Sequence, residues 1–309
     1  MDPPKIAADR TGAVSKLIIA VFLSVPCVAQ DLTPRAYWPA PTGTEVLVLG
    51  FARAEGDVLF DPTVPLYNVD SELNMGIVAY AQTLDLAGRT SNLIVEVPYV
   101  WGETRGLVGD LPASRGFAGI ADASVTLSMN LMGAPAMDGK EFLEFRADPK
   151  PILGASVKVI APTGQYKKTR LINEGANRWA VKGELGYNFP LSSKWLAEFE
   201  AGVIYFGDDD DFLIGEKEQE PIYTGQAHLV RRFAPGYWAS LNFNYFTGGR
   251  QTIGGNRLQD SQRNSKFGAT VVFPVAQGHS IKVGYAIGWL TEFGADFDQL
   301  VISYTRVLQ

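Results

Sequence analysis

The sequence predicts an all-β chain, an antiparallel transmembrane β-barrel of about 12 strands, with a short periplasmic helix near 138–147. Three observations predict it: long segments in which apolar and polar residues alternate, an apolar N-terminal run too short to span a bilayer, and connections that alternate between long and short. Ile281, Val283, Tyr285, Ile287 and Trp289 share one face, against Ser280, Lys282, Gly284, Ala286 and Gly288. Such a period of two is a strand with one apolar and one polar or small face. Val181–Phe189, Trp195–Tyr205 and Ala121–Leu131 repeat the pattern. A soluble sandwich alternates too. These segments, however, are longer than ordinary globular strands, and Tyr, Trp and Phe gather at their ends, as an interfacial girdle requires.

Lys5, Arg10 and Lys16 form a basic region, followed by the uncharged run Leu17–Ala29. A helical span needs about 20 residues, so the run suits a cleaved export signal over 1–29. Cys27-Val28-Ala29 offers small residues at the cleavage positions. An N-terminal anchor helix is the competing reading, and Ser24-Val25-Pro26 fits a lipobox poorly. Residues 30–43 then form an N-terminal periplasmic segment, and 44–309 the barrel.

Strands are expected near 44–55, 70–84, 90–103, 118–131, 150–161, 176–189, 194–207, 221–232, 237–248, 261–273, 279–290 and 296–308. The connections 56–69, 104–117, 162–175, 208–220 and 249–260 are long. Those at 85–89, 190–193, 233–236 and 274–278 are short. Bacterial barrels have short periplasmic turns and long outer loops, so the long set faces outward and both termini face the periplasm. Residues 132–149 are long on the short side. There Asp138 is a candidate N-cap for an amphipathic helix carrying Phe142, Leu143 and Phe145.

The chain carries 27 Lys and Arg against 33 Asp and Glu, which leaves no basic stripe for nucleic acid. Its single cysteine, Cys27, lies in the expected signal, so disulfide frameworks and thiolate metal sites are excluded. No cofactor is implied. The partners expected are outer-membrane lipid and lipopolysaccharide, the barrel assembly machinery and a small-molecule solute, and the expected location is the outer membrane.

If the apolar faces meet lipid, the alternate positions line the lumen: Glu96, Asp122, Lys158, Lys182, Glu184, Glu198, Glu200, Gln226, His228, Asn242, Asn244, Lys266 and Lys282. They form either a hydrated path with charged rings or an interior zipped shut by salt bridges. The acidic run Asp208–Asp211, with Glu216, Glu218 and Glu220, is a cation site or simply a solvated loop. Arg250, Arg257 and Arg263 bind anions or, the favoured reading, pair with that loop. His228 and His279 are the only histidines. Neither is placed at the outer rim, and no Gly-x-Ser-x-Gly elbow occurs, so an enzyme is not expected.

Leu32–Pro39, Ala161–Tyr166, Asn177–Ala180, Phe206–Asp208, Gly248–Arg250 and Gln262–Ser265, in that order and spacing, resemble the outer-membrane protein family named for the meta pathway of phenol degradation. The resemblance implies a barrel that moves small aromatic or hydrophobic compounds across the outer membrane, and it carries over no catalytic residues. The alternative is a structural or adhesive barrel that displays surface loops around a closed lumen. One departure concerns the C-terminus. Arg306 shares the lipid-facing side with Leu300, Ile302, Tyr304 and Leu308, where an Arg at mid-bilayer costs about 2–4 kcal/mol, so it belongs near the interface.

Overall fold

A computed structural model describes residues 33–59, 66–170, 173–212 and 215–308. The export signal expected over 1–29, with Cys27, lies outside them. β1 (Glu45–Leu59), β2 (Leu66–Leu86) and β3 (Arg89–Val108) come first, then β4 (Leu111–Ile120), β5 (Ser124–Met132), α1 (Gly139–Ala147) and β6 (Ile152–Ile160). β7 (Ala180–Pro190), β8 (Trp195–Phe206), β9 (Asp209–Phe212) and β10 (Gly215–Gln219) follow. The last group is β11 (Ile222–Ala234), β12 (Tyr237–Gly248), β13 (Gln251–Ile253), β14 (Asn256–Arg257), β15 (Gln262–Ala276), β16 (His279–Leu290) and β17 (Gly294–Val307).

The sheet runs β1, β2, β3, then β5, β6, β7, β8, β11, β12, β15, β16 and β17, and β17 pairs back onto β1 from Val46↔Val307 to Leu59↔Gly294. The result is a closed antiparallel barrel of 12 strands. Closure leaves no free sheet edge in lipid. The register gives every strand an outward and an inward face. Outward side chains are large and bare: Leu49 is 48% exposed, Val78 53%, Phe199 55% and Trp289 68%. A belt of this kind on a closed barrel is a lipid-facing surface, which makes this an outer-membrane barrel. Tyr99 and Trp101, with ring centroids 6.0 Å apart, mark one aromatic rim. No helix among the described residues is long and apolar enough to cross a membrane.

Three departures from the expected elements have local causes. The strand expected over 118–131 is broken into β4 and β5, which pair with the outer and inner halves of β3. In the break, the Asp122 carboxylate accepts the backbone N–H groups of Gly164 (2.8 Å) and Ala176 (2.7 Å) and draws the 161–179 connection into the wall. That connection bonds the far side of β4 through Gln165 N to Ile120 O, 2.8 Å. The loop expected over 104–117 is instead a strand hairpin, because Gly109 takes φ +60 at a two-residue turn. The loops expected over 208–220 and 249–260 pair as a separate four-stranded sheet, β14-β13-β10-β9.

The helix lies where Asp138 predicts it. The Asp138 carboxylate accepts from Glu141 N (2.8 Å), and the Glu141 carboxylate accepts from Asp138 N (2.9 Å), a reciprocal capping box. Phe142 and Phe145 pack onto a buried cluster of Tyr37, Ala134, Met137 and Ile152, while Leu143 stays exposed.

Candidate functional site: the lumen and its plug

Strand register determines which side chains meet inside. Ser156↔Glu184, Lys158↔Lys182, His228↔Glu198, Gln226↔Glu200, Gln226↔Asn244, His228↔Asn242 and Asn244↔Lys266 are direct cross-strand pairs on the inward face. Glu96 and Lys282 also face inward, opposite Ser124 and Ser303. Asp122 is the exception among the sequence candidates. It sits in the wall break and anchors a loop instead of lining a path.

On the wall from β7 to β15 these groups are closed off from solvent and bonded to one another. His228 Nδ1 lies 2.9 Å from Asn242 Oδ1 and its Nε2 lies 3.4 Å from Glu200 Oε2. Asn242 donates to Thr270 (3.0 Å), and Asn188 donates to Glu198 (3.2 Å). Lys182 pairs with Glu184 at 2.6 Å, and Lys158 pairs with Glu96 at 2.8 Å. Asn244, Lys266 and Lys282 also have partners. Polar groups withdrawn from water need such partners, because each one left unmade costs about 1–3 kcal/mol.

Residues 33–44 enter the lumen and lie against this wall. Arg35 N donates to Glu198 Oε2 at 2.7 Å. The Tyr37 hydroxyl reaches Ser156 Oγ (3.1 Å) and Glu184 Oε1 (3.3 Å), and the Tyr37 carbonyl accepts from Asn130 Nδ2 (3.1 Å). The Tyr37 ring is 1% exposed and lies across Gly154 and Gly186, which are themselves cross-strand partners. A Cβ at either glycine would stand 2.1 Å from a ring carbon, so only glycine admits the ring there. Farther along, the Arg35 guanidinium lies between Trp38 (4.7 Å) and Trp238 (5.1 Å), and Arg232 covers the Trp38 ring at 4.8 Å. Arg232 also donates to the Arg146 carbonyl at the end of α1 (2.6 Å), and Phe145 lies 5.7 Å from Trp38. The helix and the plug thus form one body at the periplasmic mouth. Trp38, Tyr37, Arg232 and the glycine pair were not among the sequence candidates.

The outer end of the lumen is different. Ala54, Val58, Val69, Leu73, Val100, Phe117, Ala121 and Phe297 form a buried apolar cluster on β17, β1, β2, β3 and β4. On the β8–β11–β12 side stand Ile204, Ile222 and Phe246, with Phe206 packed on them. Two separate hydrocarbon clusters therefore stand toward the outer end of the lumen, on different parts of the wall.

A family model described as "Putative MetA-pathway of phenol degradation" matches residues 54–293. The chain belongs to that family. Among solved structures, this member of the phenol-degradation family is similar to the COG4313 outer membrane channel from Pseudomonas putida F1. The two are 22% identical with a TM-score of 0.73, and the match covers 90% of this chain and 100% of the other. That likeness bears on the fold. The β domain of the Bordetella autotransporter BrkA (12% identity, TM-score 0.48, 86% and 100% covered) and the CymD monoaromatic hydrocarbon channel (10%, 0.43, 87% and 90%) are more distant. No curated protein matches the sequence.

In this family member the outer sheet forms a lid whose underside is polar. Asp209 accepts from Tyr166 (2.8 Å) and Asn177 (2.7 Å), and Arg178 lies over the Phe206 ring at 4.7 Å and donates to Gln219. Burial pushes the Arg178 guanidinium down to about 10 and the buried Lys217 ammonium down to about 7. Of the three outer arginines, Arg257 pairs with Glu220 of the acidic loop, Arg263 pairs instead with Glu292 (3.4 Å), and the Arg250 carbonyl accepts from Glu220 N. Among the described residues, no group of three His, Cys, Asp or Glu side chains is placed to hold a metal. The His279 ring lies tilted beside Tyr304 with centroids 5.7 Å apart. Arg306 pairs across the strands with His279 and Leu47, at the end of the barrel where the chain terminates.

Proposed function

We propose that this protein is an outer-membrane channel for small aromatic or hydrophobic compounds and has no catalytic role. The two apolar clusters at the outer end of the lumen carry the reading. An ion or a sugar entering a hydrocarbon constriction must shed its hydration, and a dewetted apolar ring is a barrier to it. A neutral aromatic solute faces no such cost and gains about 25 cal/mol for each Å² of apolar surface withdrawn from water. Family membership supports the same reading. So does the polar network around His228, which engages the histidine with Asn242 and Glu200 and with no nucleophile.

The test uses cells whose lipopolysaccharide is intact, because that layer excludes neutral aromatic probes. Cells expressing the barrel should take up N-phenyl-1-naphthylamine faster than cells with empty vector. Proteoliposomes in arabinose should swell no faster than plain liposomes. Dye entry at the vector rate would overturn the reading in favour of a closed barrel that displays loops.

A further inference from the structure

The inward face of the barrel is divided by chemistry. From β6 to β15 it is polar and charged at mid-depth. On β1 and β2 it is hydrocarbon: Val48, Gly50 and Ala52 stand directly opposite Ala79, Ile77 and Met75. None of these six side chains can form a conventional hydrogen bond. Their outward neighbours, Leu49 and Val78, are the bare lipid-facing residues, so these two strands are apolar on both faces.

Among the described residues, the plug lies against β5 to β12, bonding to polar side chains and packing Trp38 on Leu196, Val230 and Trp238 near the periplasmic end. Its bonds go to Asn130 on β5, Ser156 on β6, Glu184 on β7, Glu198 on β8 and Gln226 on β11. Its backbone hydrogen bonds to β2, among the described residues, are at Thr83, near the end of that strand. Burial differs in part along the same division. Glu198 is 0% exposed and Asn242 1%, and Ala52 and Ala79 are buried as well, whereas Val48, Gly50, Met75 and Ile77 are half-buried although they point inward. Among the described residues, the plug therefore leaves part of the β1–β2 wall uncovered. Its outer end is the apolar cluster of Leu73, Phe117 and Phe297, against which Met75 packs. Glu96, bridged to Lys158, and Lys282 stand at its borders.

We propose that solute crosses along the β1–β2 wall, and that Met75 and Ile77 set which solutes pass by presenting only hydrocarbon to a small neutral aromatic molecule. The polar wall is the dock for the plug and is not the path. This rests on the channel reading and adds a location and two specificity-determining residues to it.

The experiment compares Met75→Gln, nearly isosteric but polar, and Ile77→Asn with Val78→Thr, one residue along and facing lipid. Heat-modified gel mobility first confirms that each barrel is folded. If Ile77→Asn fails to assemble, the milder Met75→Gln carries the test. Each wall variant should slow N-phenyl-1-naphthylamine entry into lipopolysaccharide-intact cells by roughly five- to tenfold, because an amide then has to be stripped of water beside the passing solute. Val78→Thr should keep the wild-type rate. If wild type itself enters at the vector rate, the channel reading falls and this proposal with it. If wild type is fast and folded Met75→Gln is equally fast, the wall assignment alone is overturned.

Discussion

Adding one methyl group under the plug should loosen its dock. In Gly186→Ala the new Cβ would lie 2.1 Å from Tyr37 Cε2 and 2.3 Å from Cδ2. Carbon atoms rest about 3.5–4.0 Å apart, so the ring has to move by about 1.5 Å. Sliding sideways gives no relief, because Gly154 holds the opposite edge of the ring equally close, its own Cβ position lying 2.1 Å from Cδ1. The ring has to lift, which stretches the bonds from its hydroxyl to Ser156 and Glu184. Overpacking of this kind costs about 1–3 kcal/mol, which weakens docking of the plug by roughly five- to 150-fold. Tyr37→Ala removes the ring altogether and should cost more, about 3–5 kcal/mol. Amide exchange at Arg35 and Trp38, whose N–H groups bond to Glu198 and to the Arg35 carbonyl in the docked plug, reads the outcome as the fraction of time undocked, fastest in Tyr37→Ala, then Gly186→Ala, then wild type. Adding Gly186→Ala to Tyr37→Ala should change nothing further, since no ring remains to displace. A Gly186→Ala protein whose plug amides exchange at the wild-type rate would refute the glycine cradle as the anchor of the plug.

Arg232→Met keeps the side-chain length but loses both the cation over Trp38 and the bond to the Arg146 carbonyl. Exchange of the Arg35 and Trp38 amides should become about fivefold faster, the equivalent of ~1 kcal/mol. In the lid, Lys217 is held down to about 7 by burial and by Arg178, while Asp209 and Asp260 act in the other direction. Its folded value lies below the ordinary 10.5, so between those limits the unfolded lid binds the extra proton and lid stability rises with pH. Lys217→Met should abolish that rise, read as protease cleavage within 209–219 at pH 7 and pH 9. Asp138→Ala removes the capping box of α1 at a cost of about 1 kcal/mol, and amide exchange at Glu141 and Phe142 should accelerate accordingly.

What could be read from sequence followed from periodicity. β7, β8 and β16 alternate so regularly that their inward residues follow from counting in twos, and the Asp138 capping box is a local signal that needs no tertiary knowledge. The plug dock was not readable, because Gly154 and Gly186 become a pair only through the register of β6 on β7. Seen singly, each is one more small residue on a mixed face. The break at Asp122 was hidden for a similar reason, since its cause is a loop that returns about 40 residues later to bond its carboxylate. The lid sheet depends on pairing of β10 with β13 across two separate loops, and neither loop alternates enough to announce a strand. The apolar wall did leave a trace. Val46-Leu47-Val48-Leu49-Gly50-Phe51-Ala52 is apolar at every position, and a strand of that kind in a barrel has hydrocarbon on its lumen side as well as its lipid side.

The two chemistries of the interior complement each other physically. The hydrogen bonds of the plug exchange protein partners for water when it leaves, so each contributes only about 1 kcal/mol net, and the packed rings of Tyr37 and Trp38 supply much of the rest of the hold. Glu198, Gln226 and Ser156 would be hydrated once the plug is gone, whereas the same surface built from leucine would either stay sealed or collapse on itself. A solute that prefers hydrocarbon has the opposite requirement. Polar groups on its route would hold water that it must displace without replacing the lost hydrogen bonds, and that displacement is unfavourable. Placing the reversible dock on β5–β11 and the hydrocarbon on β1–β2 lets one narrow barrel meet both requirements. Exchanging the chemistry of either wall should therefore damage a different step: plug release for the polar wall, solute passage for the apolar one.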